Sequence, residues 1–159
     1  MTAPATTGDA FRLPLRRRPP AMLAVGAGHL IGRLPPARIR RILTFCARGA
    51  RPASYTEASR ARRTVTAVSV RCAGQGCLPR SIATALLCRT HGSWPVWCAG
   101  VRSVPFQAHA WVEAEGRPVD EPLSTTQMRP IVVVPPGRGP SLPDKALPDK
   151  ALSDKAESP

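Results

Sequence analysis

The chain has 159 residues, enough for one domain with a single core and too few for two full-sized ones. Its formal net charge is +13, and the excess lies in residues 1–63, which carry thirteen arginines and only two acidic residues. No apolar run reaches the roughly eighteen residues of a membrane helix, and the N-terminal charges do not fit a secretory signal. We therefore expect a cytoplasmic protein without a membrane segment.

The basic N-terminal part suits an acidic partner, and charge alone leaves nucleic acid, a peptide and a protein surface open. Nucleic acid is disfavoured, because the only aromatic residues of this part are Phe11, Phe45 and Tyr55. They form no interleaved stacking platform, and no nucleic-acid recognition motif accompanies them.

The five cysteines indicate neither a disulfide framework nor a metal site. Their number is odd, their spacing is wide, and no CxxC pair is present. Cys88 and His91 lie three residues apart, but no second pair completes a zinc tetrad. We interpret Cys46, Cys88 and Cys98 as small buried hydrophobic residues and expect no metal and no cofactor.

The chain divides into four segments by composition. We predict a disordered basic N-terminus over residues 1–20 and a helical region over residues 21–54. The core follows over residues 55–135, and residues 136–159 form a disordered tail. The tail contains the repeats LPDKA, LPDKA and LSDKA, whose five-residue period fits neither a helix nor a strand.

Three helices are predicted before the centre of the chain. AMLAVGAGHLIGRL is a weak helix diluted by glycine. PPARIRRILTFCARGA is a better one, since Pro36 suits its start and Gly49 its end. SYTEASRARRTVTAVSVRC opens with Ser54 and Glu57 at the spacing of a capping box and extends as a helix towards Cys72.

The clearest helix is CLPRSIATALLCRTHG, which follows the loop CAGQG. Its apolar stripe repeats at helical spacing and consists of Leu78, Ile82, Ala85 and Leu86, and Gly92 ends the helix. Four strand-like runs follow, VWCAGVR, AHAWVEAE, RPVDEP and RPIVVV, with a hairpin turn predicted at Glu115 and Gly116. The fold class is therefore α+β, with one helix packed on a small antiparallel sheet behind N-terminal helices.

The order of these elements matches the needs of a cysteine nucleophile. Cys77 lies at a helix start, where free N–H groups and the helix dipole favour the thiolate. His109 lies in a strand and can exchange the thiol proton, and a carboxylate on the next strand can hold the imidazole in one tautomer. Taken singly, Cys77 and His109 would more often be packing residues, and only their combination favours catalysis.

Three short motifs resemble the transglutaminase-like leader peptidases of lasso-peptide biosynthesis over residues 55–135. The motifs are CLPRS with Cys77, the pair GV before PF, and AHAWVE with His109. The resemblance implies a papain-like fold and a cysteine-peptidase mechanism. The matching residues are Cys77, Leu78, Arg80, Ser81, Gly100, Val101, Pro105, Phe106, His109, Trp111, Val112 and Glu113.

The resemblance also implies a substrate and partners. The enzyme would remove the leader of a ribosomally made precursor peptide and free the amine of the core peptide. A separate ATP-dependent cyclase, similar to asparagine synthetase, would then close a macrolactam ring. Since the residues before Cys77 predict basic helices and not a winged β-rich domain, we expect a separate small leader-recognition protein.

Two adjacent residues, Asp120 and Glu121, are the candidates for the third catalytic residue. By ungapped spacing Glu121 falls at the position of the acid and Asp120 beside it, and adjacent strand residues point to opposite faces. We favour Glu121, although a shift of one residue in the hairpin would reverse the choice. For the oxyanion, the backbone N–H of Cys77 and the side chain of Gln75 are the candidates.

Two other functions remain open from the sequence. A transglutaminase or peptide amidase would use the same thioester chemistry and differ in the molecule that accepts the acyl group. A non-enzymatic binding protein would use the basic N-terminal part and would not need a reactive thiol at Cys77.

Overall fold

A computed structural model describes residues 18–122, 125 and 127–137 of the chain. The described residues form helices and small sheets, so the predicted α+β class is confirmed. The LPDKA repeats, which we predicted to be disordered, lie outside the described residues. The helices are α1 (Arg18–Ile31), α2 (Pro36–Ala47), α3 (Tyr55–Val68), α4 (Val70–Ala73) and α5 (Cys77–Arg89), and the strands are β1 (Arg51–Pro52), β2 (Ser93–Trp94), β3 (Val96–Ser103), β4 (Phe106–Ala114), β5 (Arg117–Pro118) and β6 (Arg129–Val134).

Local signals account for most helix ends. Pro36 is the first residue of α2, and Gly49 adopts the positive φ that commonly ends a helix. Ser54 and Glu57 form both hydrogen bonds of the predicted capping box at the start of α3. Gly92 has a φ of 75° just beyond α5, as predicted.

Two helix boundaries differ from the predictions. Residues 18–20 belong to helix α1 although they fall in the segment 1–20 predicted to be disordered, and prolines are tolerated in the first turn of a helix, where no N–H is needed. Helix α3 stops at Val68, because Ser69 is extended and its hydroxyl accepts a hydrogen bond from the Cys72 N–H. Ser69 thus ends one helix and caps the short helix α4.

The main sheet has the order β5-β4-β3-β6 and is antiparallel throughout. The turn between β4 and β5 is the predicted one, with φ of 54° at Glu115 and 77° at Gly116, which suits a type I′ hairpin. The predicted strand RPVDEP is shorter than expected and ends at Pro118. The chain turns away at Asp120, which has a φ of 48°, so the two candidate acids lie beyond the sheet and not on a strand.

Helix α5 is the centre of the hydrophobic core. It packs against α1 and α3 on one side and against β4 on the other. Seven of its thirteen residues are buried, and they include Ile82 and Ala85 of the predicted stripe. Ala21, Ala24, Ile39 and Leu43 of the N-terminal helices belong to the same cluster, so residues 21–54 share their core with the rest of the domain.

Gly28 explains how the glycine-rich helix α1 comes so close to α5. A Cβ atom at Gly28 would lie 2.6 Å from the carbonyl oxygen of Pro79 and 3.2 Å from the Cβ of Ala83. Gly26, half a turn away, faces open space. Glycine is therefore required at position 28 by packing, whereas position 26 has no such requirement.

We expect Gly28→Ala to lower the free energy of unfolding by about 1–3 kcal/mol, because the added methyl overpacks the contact of α1 with α5. Gly26→Ala is the matched control and should raise it by about 0.5–1 kcal/mol through helix propensity. Urea unfolding followed by circular dichroism measures both. An increase of equal size for the two variants would contradict the close packing.

Candidate active site

Cys77 is the first residue of α5, at the helix start predicted from the sequence. The preceding residue, Gly76, caps the helix without a side chain, and its carbonyl accepts a hydrogen bond from the Arg80 N–H. A Cβ atom at Gly76 would lie 2.6 Å from the carbonyl oxygen of Arg71. The loop before the thiol is therefore closed tightly on itself, and only glycine fits at that point.

His109 lies in β4 directly opposite Gly100 of β3. A side chain at Gly100 would collide with the backbone of Arg129 in β6, where the ladder shifts its register. The imidazole lies parallel to the indole of Trp111, with ring centroids 6.0 Å apart and an angle of 10° between the planes. Trp111 is buried and donates its indole N–H to Glu113 at 2.8 Å, so its ring is fixed beside the imidazole.

Glu121 is the acid that contacts the histidine. His109 Nε2 donates to Glu121 Oε2 at 2.8 Å, and the carboxylate side chain is 3% exposed. Asp120 turns the other way and accepts hydrogen bonds from the hydroxyl groups of Ser59, at 2.7 Å, and Tyr55, at 3.2 Å. The two neighbours point apart as expected, but the cause is the turn at Asp120 and not the alternation of a strand.

The thiol and the imidazole shift each other's titration. Interaction with His109 is the largest cause that lowers the pKa of Cys77, and the backbone N–H of Ala110 adds to it against the effect of burial. Interaction with Cys77, followed by the hydrogen bond to Glu121, raises the pKa of His109 to about 9. Each group therefore favours the charged form of the other, the thiolate for Cys77 and the imidazolium for His109.

Burial raises the pKa of Glu121, yet the hydrogen bond from His109 and the charge of Arg62 outweigh it and hold the pKa below its usual value. Arg62 and Arg80 are functional candidates that the sequence interpretation missed. Arg62 is one of several arginines in α3, and no local pattern separates it from them. Arg80 belongs to the CLPRS motif, which was the one available signal, but no role was assigned to it.

The predicted oxyanion donors are placed less favourably. The Cys77 N–H donates to the carbonyl of Gln75 at 3.0 Å, and Gln75 itself is exposed in the loop. A cavity of about 480 Å³ lies next to the acid and the histidine, and its lining includes Arg62, Arg80, Gln107, His109, Glu121 and Met128.

Cys46, Cys88 and Cys98 differ from Cys77 in titration. Burial raises the pKa of Cys88 and Cys98 to about 12 and also raises that of Cys46. Among the residues that the structure describes, no three His, Cys, Asp or Glu side chains are grouped so that they could hold a metal ion. No described helix is long and apolar enough to span a membrane.

A family described as the transglutaminase-like superfamily matches residues 21–133 of the chain. The matched range begins in α1, ends in β6 and includes Cys77, His109 and Glu121. Neither the curated proteins nor the solved structures contain a significant match.

We expect iodoacetamide to alkylate Cys77 faster than Cys46 at pH 7, because the pKa of Cys77 is lowered and that of Cys46 is raised. His109→Ala should remove most of the difference, since His109 is the largest cause of the shift. Peptide mass spectrometry after timed alkylation measures the rate at each cysteine. A Cys77 that titrates at or above the ordinary thiol pKa of about 8.5 would contradict the ion pair.

Proposed function

Because the chain belongs to the transglutaminase-like superfamily, whose members are generally cysteine-based enzymes, we propose that it is a cysteine peptidase that removes the leader of a lasso precursor peptide. The observation that supports this best is the hydrogen bond of 2.8 Å from His109 to Glu121, together with the lowered pKa of the Cys77 thiol and the raised pKa of the His109 imidazole, each caused first by the other group. The choice of a leader peptide as substrate rests on the CLPRS, GV–PF and AHAWVE motifs.

Acylation begins with attack of the Cys77 thiolate on the scissile carbonyl carbon. The carbonyl electrons move to oxygen and return as the C–N bond breaks, and the His109 imidazolium gives its proton to the departing amine. The amine is the new N-terminus of the core peptide, and the leader stays on Cys77 as a thioester.

Deacylation uses the same groups in reverse. Neutral His109 takes a proton from water while the water oxygen attacks the thioester carbon. The C–S bond breaks and the thiolate–imidazolium pair is restored, while the leader leaves as a carboxylic acid that ionises by releasing its proton to solvent. Glu121 stays ionised and holds His109 Nε2, which leaves Nδ1 as the nitrogen available to the thiol.

The partners follow from the same proposal. Residues 18–54 form α1, α2 and the short strand β1, and their apolar residues belong to the peptidase core. We therefore propose that a separate small protein recognises the leader, since residues 18–54 are engaged in the core of the peptidase itself. An ATP-dependent cyclase would act next on the amine that the cleavage releases.

We expect Cys77→Ala to abolish cleavage of the precursor in the presence of the recognition protein, because the proposed acylation needs the Cys77 thiolate as its nucleophile. Mass spectrometry of the products reports both the cleavage and its chemistry. A leader with a free carboxylate is expected. A new amide formed with an added amine would instead favour transglutaminase activity, and substantial cleavage by Cys77→Ala would reject the mechanism.

Glu121→Gln should lower kcat by roughly 10²-fold, because the amide no longer stabilises the imidazolium. Asp120→Asn is the matched control, and its kcat should stay within about twofold of wild type, since Asp120 faces α3. Steady-state cleavage assays of the two variants measure the contrast. Equal losses in both variants would remove the carboxylate from the proposed mechanism.

The pH profile of kcat/KM should have two limbs. Activity rises as the thiol ionises, below the usual pKa of a cysteine, and falls near pH 9 as His109 loses the proton that the leaving amine needs. Initial rates across a constant-ionic-strength buffer series measure both limbs. Activity that keeps rising through pH 10 would show that protonated His109 is not required.

A further inference from the structure

We propose that Arg62 is a positioning residue for this reaction: its guanidinium fixes the direction of the Glu121 carboxylate, and Arg80 ties the same carboxylate to the loop that precedes Cys77. The inference rests on the proposed cysteine-peptidase function. It concerns α3, an element to which the catalytic motifs assign no role.

The contact of Arg62 with Glu121 is specific to one oxygen. Arg62 Nε and Nη2 lie 3.2 Å and 2.9 Å from Glu121 Oε1, which leaves Oε2 for His109. The Arg62 side chain is 16% exposed and the Glu121 side chain 3% exposed. The pair is thus shielded from solvent, where a charge-assisted contact of this kind fixes geometry most effectively.

Glu121 depends on such a contact because the sheet does not hold it. The Val119 N–H makes the final ladder bond, to the carbonyl of Val112, and the chain then turns at Asp120. The next residue, Pro122, has no N–H to donate. The direction of the Glu121 side chain is therefore set by Arg62 and His109, and not by strand pairing.

Charge compensation changes during the proposed cycle. His109 neutralises Glu121 only while the imidazole is protonated. When His109 has given its proton to the leaving amine, Glu121 would be a buried carboxylate next to a neutral ring. Arg62 supplies the positive charge at that stage, so Glu121 stays ionised and ready to stabilise the next imidazolium.

Arg80 connects the acid to the nucleophile. Its Nη1 donates to the carbonyl oxygens of Cys72 and Gly74, each at 3.1 Å, and its Nη2 lies 3.8 Å from Glu121 Oε1. Arg80 is in the first turn of α5, three residues after Cys77. One side chain thus spans the loop, the start of the nucleophile helix and the carboxylate.

The charged and titratable groups around Glu121 come from every element that packs there. Arg62 reaches it from α3, Arg80 and Cys77 lie on α5, and His109 lies on β4. The neighbouring Asp120 points away and is 3.9 Å from Arg63. Removing the Arg62 charge therefore acts on the ionisation of Glu121 and, through His109, on that of Cys77.

The experiment compares Arg62→Met, Arg62→Lys and the matched control Arg60→Met in the full-length chain. Arg60 lies on the same helix, and its side chain is exposed. For Arg62→Met we expect the midpoint of Cys77 alkylation to move to higher pH by about half to one unit. We also expect a fall in kcat on the order of tenfold with KM nearly unchanged.

The two other variants separate charge from geometry. Arg62→Lys should return the alkylation midpoint to the wild-type value, because it keeps the charge, but should leave kcat reduced, because an ammonium cannot reproduce the guanidinium fork. Arg60→Met should behave as wild type in both measurements. If the role of Arg62 were purely structural, Arg62→Met would have a lower kcat, but its midpoint of Cys77 alkylation would stay at the wild-type pH.

Two results overturn the inference: folded Arg62→Met with the wild-type alkylation midpoint, or Arg62→Lys with wild-type kcat. The second result decides the case if Arg62→Met does not fold. Alkylation needs no substrate, so it tests the inference independently of the peptidase proposal. If wild type cleaves no precursor but Arg62→Met still shifts the Cys77 titration, the positioning role is supported and the leader-peptidase proposal fails.

Discussion

The arrangement around Cys77 depends on one buried carboxylate. Glu121 is almost fully enclosed, and a charge in that position is stable only with cations and hydrogen-bond donors close to it. Those groups come from three separate elements: Arg62 from α3, Arg80 from α5 and His109 from β4. The packing of α3, α5 and β4 against one another therefore also brings the residues of the site together.

Local sequence signals predicted the elements that carry the thiol and the imidazole. The helix that starts at Cys77, the strand that contains His109 and the turn at Glu115 and Gly116 each have a cause within a few residues. Prolines in first turns, a capping box and glycine at positive φ act over such distances. The α+β class was predictable from these elements, because they consist of one central helix and one small sheet, and the helix covers one face of the sheet.

The route to Glu121 was not predictable in the same way. Its strand was expected to extend through RPVDEP, but the chain leaves the sheet after Val119, and only tertiary contacts decide where the two acids point. Arg62 was hidden for a related reason. Helix α3 contains several arginines, and the sequence alone does not distinguish among them. Arg62 differs from the others because it is buried against Glu121, which lies 59 residues further along the chain.

The close contact between Gly28 of α1 and Pro79 in the first turn of α5 limits how this chain can be recombined with other domains. A helix that packs this closely on the turn that contains Cys77 is not an exchangeable appendage. A fusion with another module would have to extend the chain ahead of α1, because replacing α1 would open a gap beside the first turn of α5. The boundary at which evolution or an engineer can splice the chain therefore lies before Arg18 and not at the start of α3.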